Sequence, residues 1–190
     1  MRGESLNIAI LDRDGVINED KGYVHSWENF TFTHKCVDGL KLLQNSGYKI
    51  IIVTNQSGIA RGYYTISDVV KLHNKLRHHL LGYGIHILDI FFCPHLKNGT
   101  VSNYAVDCAC RKPNIGMLKI IMKKYNFHKS KSLVIGDRMS DMYFGYNYGI
   151  KELILVNSKA SDNKPQKMRI QSFDSFYDAA KMIHQRSSQI

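Results

Sequence analysis

Three apolar runs of strand length each end in side chains able to handle a phosphate or a cation. LNIAIL (6–11) runs into DRDG, which sets Asp12 and Asp14 two residues apart. YKIIIVT (48–54) delivers Thr54 ahead of NQSG, and SLVIG (132–136) leads to Asp137 and Asp141. A single aspartate after a strand is ordinarily a turn former or helix cap. Three such ends brought to one edge are a different matter, because ionised carboxylates repel and a hard divalent cation with oxygen ligands relieves that repulsion. Mg²⁺ carrying a phosphate group suits this donor set.

A second set is soft. FFCPHL holds Cys93 and His95, and DCACRKP holds Cys108 and Cys110, directly followed by Arg111, Lys112 and Pro113. These residues could form a disulfide, a redox pair or a metal clip. The chain has no C-x-x-C, which weakens the redox reading. Four S/N ligands suit a closed tetrahedral zinc site, although one-residue spacings are tighter than common zinc knuckles. Cys36 lies far from the other three, at the start of an apparent helix, and reads as a core or boundary thiol.

The elements that must position these residues are legible as alternation. Apolar or β-branched runs at 6–11, 48–54, 87–92, 132–136 and 152–156 read as strands. Between them, 36–46 repeats Val37, Leu40 and Leu43 before Gly47. Residues 67–81 place Val69, Leu72, Leu76 and Leu80 on one face, with Ser67 as N-cap. Further helices are expected over 115–125, over 140–148 with Ser140 capping and Gly149 closing, and over 174–185 from Asp174 or Ser175. Strand–helix repetition with strands apolar throughout predicts an α/β fold, a Rossmann-like parallel sheet with helices on both faces. Ligands of such sheets bind beyond the carboxyl ends of the strands. The polar segments 12–35 and 93–113 follow strands and are long enough to be functional loops.

Composition sets bounds. The length, 190 residues, suits a single domain spanning 1–190. No apolar run approaches the roughly 18 residues of a membrane span, and no secretory signal precedes the first strand, so a cytoplasmic protein with no membrane partner is expected. Lys+Arg 26 against Asp+Glu 16 gives a formal charge of +10, which favours an anionic partner. The cations are spread, with clusters at KLRHHL, KKYNFHKSK and NSKASDNKPQKMR, and the eleven tyrosines are scattered. A nucleic-acid module would call for a basic stripe with stacking aromatics, so a small phosphorylated substrate is expected and nucleic acid is not. No heptad or apolar stripe suggests self-association, so a monomer is expected.

The motifs ILDRDGVIN, IVTNQSG, RKP and VIGDRMSD resemble, in order, those of the haloacid-dehalogenase-like phosphatases over about residues 6–156. DRDG, TNQSGIARG, CPH and CxCRKP together look most like the D-glycero-D-manno-heptose 1,7-bisphosphate 7-phosphatases, with histidinol-phosphate phosphatases as cousins. The resemblance implies a fold with no large cap domain and an inserted zinc-stabilised loop at 93–110. It implies Asp12 as nucleophile forming an aspartyl-phosphate, Asp14 as general acid and base, and Thr54 and Lys112 as phosphoryl donors. It further implies Mg²⁺ on Asp12, the Asp14 carbonyl and Asp137, and structural Zn²⁺ on Cys93, His95, Cys108 and Cys110. Substrate contacts are implied at Asp20, Gly22, Tyr23, Asn55, Gln56, Ser57, Arg111 and Arg138, where relatives often have lysine at the last position. Arg13 is expected to point away from the phosphate. Asp141 is read as a helix cap rather than a partner of Lys112, and Arg61 either as reaching the substrate or as a solvated cation. The remaining histidines are read as surface or internally satisfied residues. The expected activity is removal of the C7 phosphate of heptose 1,7-bisphosphate in surface-polysaccharide synthesis. Histidinol-phosphate hydrolysis is the alternative, and a basic zinc-containing nucleic-acid-binding protein a more distant one.

Overall fold

The computed structural model describes residues 5–157 and 167–189. The basic cluster expected over 157–169 lies largely outside these residues. Six parallel strands form one sheet: β1 (Ile8–Leu11), β2 (Lys49–Asn55), β3 (Ile87–Cys93), β4 (Leu133–Gly136), β5 (Glu152–Val156) and β6 (Ile170–Phe173), in the order β3-β2-β1-β4-β5-β6. Five α-helices accompany it: α1 (Cys36–Asn45), α2 (Ile66–Gly82), α3 (Gly116–Lys124), α4 (Met139–Tyr148) and α5 (Phe176–Ser187). No large cap is seen among the described residues.

The apolar runs are unbroken because both sheet faces are covered. Successive side chains point to opposite faces, so Ala9 and Leu11 join the core under α1 and α5 while Ile8 and Ile10 join the core under α3 and α4. Strands β2, β4 and β5 divide the same way: Ile50, Ile52, Leu133, Ile135 and Ile154 on one side, Ile51, Val53, Val134, Leu153 and Leu155 on the other. Cys36 is buried in the first of these cores, with its thiol pushed up to about 12 by burial. It is a packing residue.

Three local expectations are corrected. The N-cap of α2 is Thr65, not Ser67: Thr65 Oγ1 accepts from Asp68 N and Asp68 returns a carboxylate to Thr65 N, a capping box. At α4 the cap is not Ser140; Asp141 Oδ2 accepts from Arg138 N at 3.2 Å, while Gly149 at φ 93° closes the helix as expected. The sixth strand, IQSF, has too few apolar residues to read as a strand and pairs along only one edge, with β5.

Where α1 crosses α5, the chain approaches closely at Gly39. A Cβ there would lie 2.8 Å from the Phe176 ring, itself fully buried. Gly39→Ala is therefore expected to destabilise the protein by about 1–3 kcal/mol through overpacking, read as a lower urea midpoint at unchanged slope.

Candidate active site

The sheet order turns around between β1 and β4, and this switch point opens the crevice in which ligands of such sheets sit. Asp12 follows β1, with its N–H donating to Ile135 O at 2.9 Å, so β1 and β4 stay paired right up to the site. Thr54 closes β2 and Asp137 follows β4. Lys112 comes from the loop before α3 and buries its ammonium among them. Its Nζ is 2.9 Å from Asp12 Oδ1 and 2.6 Å from Asp141 Oδ1, and it donates to Val53 O at 2.8 Å. Burial opposes its charge, but Asp12 and Asp141 hold it above the usual lysine range. Asp141 is thus both a cap and a partner of Lys112, where capping alone was the favoured reading.

One cation does not neutralise three carboxylates. Burial, opposed by Lys112 and reinforced by Asp141 and Asp137, pushes Asp12 up to about 7. Burial and then the Asp141 charge push Asp137 up to about 6. Asp137 Oδ1 is buried with no hydrogen-bond partner, and oxygens of Asp12, Asp137 and Asp141 lie within 4.8 Å of one another. An orphaned hard oxygen in an over-acidic cluster fits a divalent cation of the magnesium type. Two glycines permit this crowding. A Cβ on Gly15 (φ 84°) would overlap the Asp137 carboxylate, and one on Gly136 would overlap Asp141.

Asp14 is held differently. Arg13, which was expected to point elsewhere, turns into the interior and is 0% exposed, yet its guanidinium returns to the Asp14 carboxylate at 2.8 and 2.9 Å. Asn18 Nδ2 donates to Asp14 Oδ1 at 2.9 Å and Gln56 Nε2 to Oδ2 at 3.0 Å. Beside Arg13, His73 Nε2 lies 3.1 Å from Nη1; burial and then the arginine charge drive this imidazole down to about 3, so it stays neutral. The Arg13 clamp carried no sequence signal, because the further partners of its guanidinium, the Val24 carbonyl and His73, lie 11 and 60 residues away along the chain.

Every other residue assigned by sequence to catalysis or substrate lines one cleft of about 410 Å³: Asp20, Gly22 and Tyr23 from the loop after β1, Thr54 to Ser57 from the end of β2, and Arg111, Lys112 and Arg138 from the segments before α3 and α4. Tyr64 and Ser140 also line it and were missed. Arg138 is exposed and reaches across the mouth to Asp20 Oδ2 at 2.7 Å. Arg61 is not a cleft residue; its guanidinium sits 5.9 Å over the Tyr23 ring, so it supports that loop.

The soft ligands converge beside this cleft. The sulfurs of Cys93, Cys108 and Cys110 are 3.1–3.5 Å apart, and His95 Nδ1 is 3.4 Å from Cys110 Sγ and 3.7 Å from Cys93 Sγ. The three cysteines are free thiols, not disulfide-bonded. A zinc–sulfur tetrahedron with bonds of about 2.3 Å has edges of about 3.8 Å, so the four atoms form a slightly contracted cage of the kind that could hold zinc. It sits on the site's basic side: Arg111 Nη1 donates to His95 O, and Asn55 receives Lys112 N on Oδ1 and gives Nδ2 to Lys112 O, both at 3.1 Å.

A parallel α/β sheet with an aspartate pair after its central strand, a hydroxyl on the next, a buried lysine and an acid after β4 defines a haloacid-dehalogenase-like phosphatase. The sequence matches the family described as Polynucleotide kinase 3 phosphatase over residues 7–167. It is 41% identical, over 96% of this chain and 100% of the relative, to D-glycero-alpha-D-manno-heptose-1,7-bisphosphate 7-phosphatase of Photorhabdus laumondii. It is 37% identical, over 91% of this chain and 94% of the relative, to D-glycero-beta-D-manno-heptose-1,7-bisphosphate 7-phosphatase of Pasteurella multocida. The fold superimposes with a TM-score of 0.81 at 27% identity, covering 95% of this chain and 99% of the other, on the D,D-heptose 1,7-bisphosphate phosphatase of B. bronchiseptica in complex with magnesium and phosphate. The chain belongs to the haloacid-dehalogenase-like phosphatases of the D-glycero-D-manno-heptose 1,7-bisphosphate 7-phosphatase type.

If the cage holds zinc, metal analysis of the purified protein finds about one zinc per chain. Cys108→Ser is expected to lose most of it and to raise KM more than it lowers kcat, since Arg111 and Lys112 would no longer be held in place. Full zinc retention by the variant would contradict the assignment.

Proposed function

We propose that this phosphatase removes the C7 phosphate of D-glycero-D-manno-heptose 1,7-bisphosphate, in heptose and surface-polysaccharide synthesis. The observation that carries the mechanism is the unequal treatment of two aspartates. Asp12 faces the open cleft beside Lys112, whereas the carboxylate of Asp14 is held by Arg13, Asn18 and Gln56 at its side. In this reading an Asp12 carboxylate oxygen attacks phosphorus and the bond from phosphorus to the sugar oxygen breaks. Asp14 gives that oxygen a proton, leaving an aspartyl-phosphate. Asp14 then takes a proton from the water that attacks the intermediate, and inorganic phosphate departs. Lys112 and Thr54 donate to the phosphoryl oxygens as charge redistributes.

Mg²⁺, held by the Asp12 and Asp137 carboxylates and the Asp14 carbonyl, would screen the anionic nucleophile from the anionic phosphate. Zn²⁺ on Cys93, His95, Cys108 and Cys110 is structural: it fixes Arg111 and Lys112 before substrate arrives, so their ordering entropy is not charged to binding. The second phosphate of the substrate meets Arg111 and Arg138 at the cleft mouth, where Arg138 would exchange Asp20 for a phosphate. The names of the curated relatives, which include both anomers, support the sugar assignment.

A turnover panel tests this reading: α and β heptose 1,7-bisphosphate, histidinol phosphate and a 3′-phosphorylated oligonucleotide, each with Mg²⁺ and with EDTA. One heptose anomer is expected to exceed histidinol phosphate and the oligonucleotide in kcat/KM by at least about a hundredfold, a difference of about 2.7 kcal/mol, with activity lost in EDTA and restored by Mg²⁺. Equal or faster turnover of either competitor overturns the substrate; activity that survives metal removal overturns the cation's role.

A further inference from the structure

Gln56 stands among the residues expected to touch substrate, but its side chain has no N–H left to offer one. It is 2% exposed, and its amide is bonded at both ends: Nε2 donates to Asp14 Oδ2 at 3.0 Å and to Thr54 Oγ1 at 2.9 Å, and Oε1 accepts from Tyr64 OH at 2.8 Å. An amide has two N–H donors, and both are spent. The amide nitrogen faces Asp14 and Thr54, and the amide oxygen faces the Tyr64 hydroxyl. The main chain is tied as well, with Gln56 N donating to Cys93 O at 2.8 Å.

The two bonds from Nε2 join side chains from different strands. Asp14 belongs to the loop after β1 and Thr54 to β2. Because Thr54 Oγ1 accepts from Gln56, its own proton is left to point into the cleft. Behind the amide stands Tyr64, 7% exposed, stacked on His25 with ring centroids 4.7 Å apart. The absence of a side chain at Gly58 is what admits this ring, because a Cβ there would overlap it. Burial pushes the Tyr64 phenol up to about 12, so it remains a donor.

We propose that Gln56, backed by Tyr64, is a positioning residue that sets the Asp14 carboxylate and the Thr54 hydroxyl on the two sides of the phosphoryl group, and is not a substrate contact. This rests on the roles given above to Asp14 and Thr54. It makes a prediction about leaving groups. A sugar alkoxide departs poorly without a proton from Asp14, whereas p-nitrophenolate is stable enough to leave unprotonated. Loss of the Gln56 bridge therefore costs more with the first ester than with the second.

The test compares kcat/KM for a sugar phosphate and for p-nitrophenyl phosphate in the wild type, Gln56→Leu and Tyr64→Phe, because kcat/KM reports the phosphoryl transfer to Asp12. The ratio of sugar ester to aryl ester is expected to fall at least about tenfold in Gln56→Leu and about threefold in Tyr64→Phe, mainly through kcat. A raised sugar-ester KM at unchanged kcat would make Gln56 a substrate contact and overturn the proposal. A parallel fall with both esters, at an unchanged ratio, would reduce the bridge to a structural role and overturn it equally. If Gln56→Leu does not fold, Tyr64→Phe, which removes one hydroxyl, decides alone. Should the wild type reject heptose bisphosphate, the substrate reading fails by itself, and the same ratio is measured with the alkyl phosphate it does hydrolyse.

Discussion

Three crowded, largely buried carboxylates share one ammonium, and the rest of the structure accommodates that imbalance. Lys112 sits between Asp12 and Asp141, with Asp137 alongside and one of its oxygens unpaired. In a low-dielectric setting like charges a few ångströms apart repel strongly, which is why Asp12 and Asp137 are displaced upward to about 7 and about 6. A protein does not build such a cluster for stability. In the proposed mechanism a divalent cation and an anionic phosphoryl group would together complete it, each making the other's binding favourable.

Holding the cluster requires several unrelated devices. Gly15 and Gly136 let two acidic side chains approach main chain at distances a Cβ would forbid. Asn55 grips the Lys112 peptide from both ends, so that the ammonium is presented by a fixed backbone. The Cys₃His cage stands a few residues before Lys112 and does the same for Arg111 through the His95 carbonyl. In the proposed mechanism two candidate metal sites of opposite ligand chemistry would divide the work: hard oxygens where charge develops, soft sulfurs where a loop must stay put.

Much of this was legible in the sequence because it rests on short-range pattern. Apolar runs mark strands buried on both faces, and the residue after each run marks the sheet edge; that places Asp12, Thr54 and Asp137 in one crevice without coordinates. Cysteine spacing adjacent to Arg111 and Lys112 likewise ties the cage to the site. What escaped notice depends on contacts distant in sequence. Arg13 reads as the idle residue between two aspartates until Val24 and His73 pull it inward. Tyr64 has no motif, and its value comes from Gln56 and from the gap at Gly58. Asp141 serves Arg138 N and Lys112 at once, and no spacing rule reports that second bond. Strand β6 owes its existence to an edge of β5 awaiting a partner rather than to its own residues.

In the proposed mechanism one carboxylate oxygen, on Asp12, becomes bonded to phosphorus. Quenching the enzyme during steady-state turnover and reducing it with tritiated borohydride would convert an aspartyl-phosphate to labelled homoserine. Peptide mapping is expected to place the label at position 12 alone, in amounts that rise with substrate and vanish in EDTA. Label at position 14 or 137, or none at any aspartate while phosphate is being released, would contradict the mechanism.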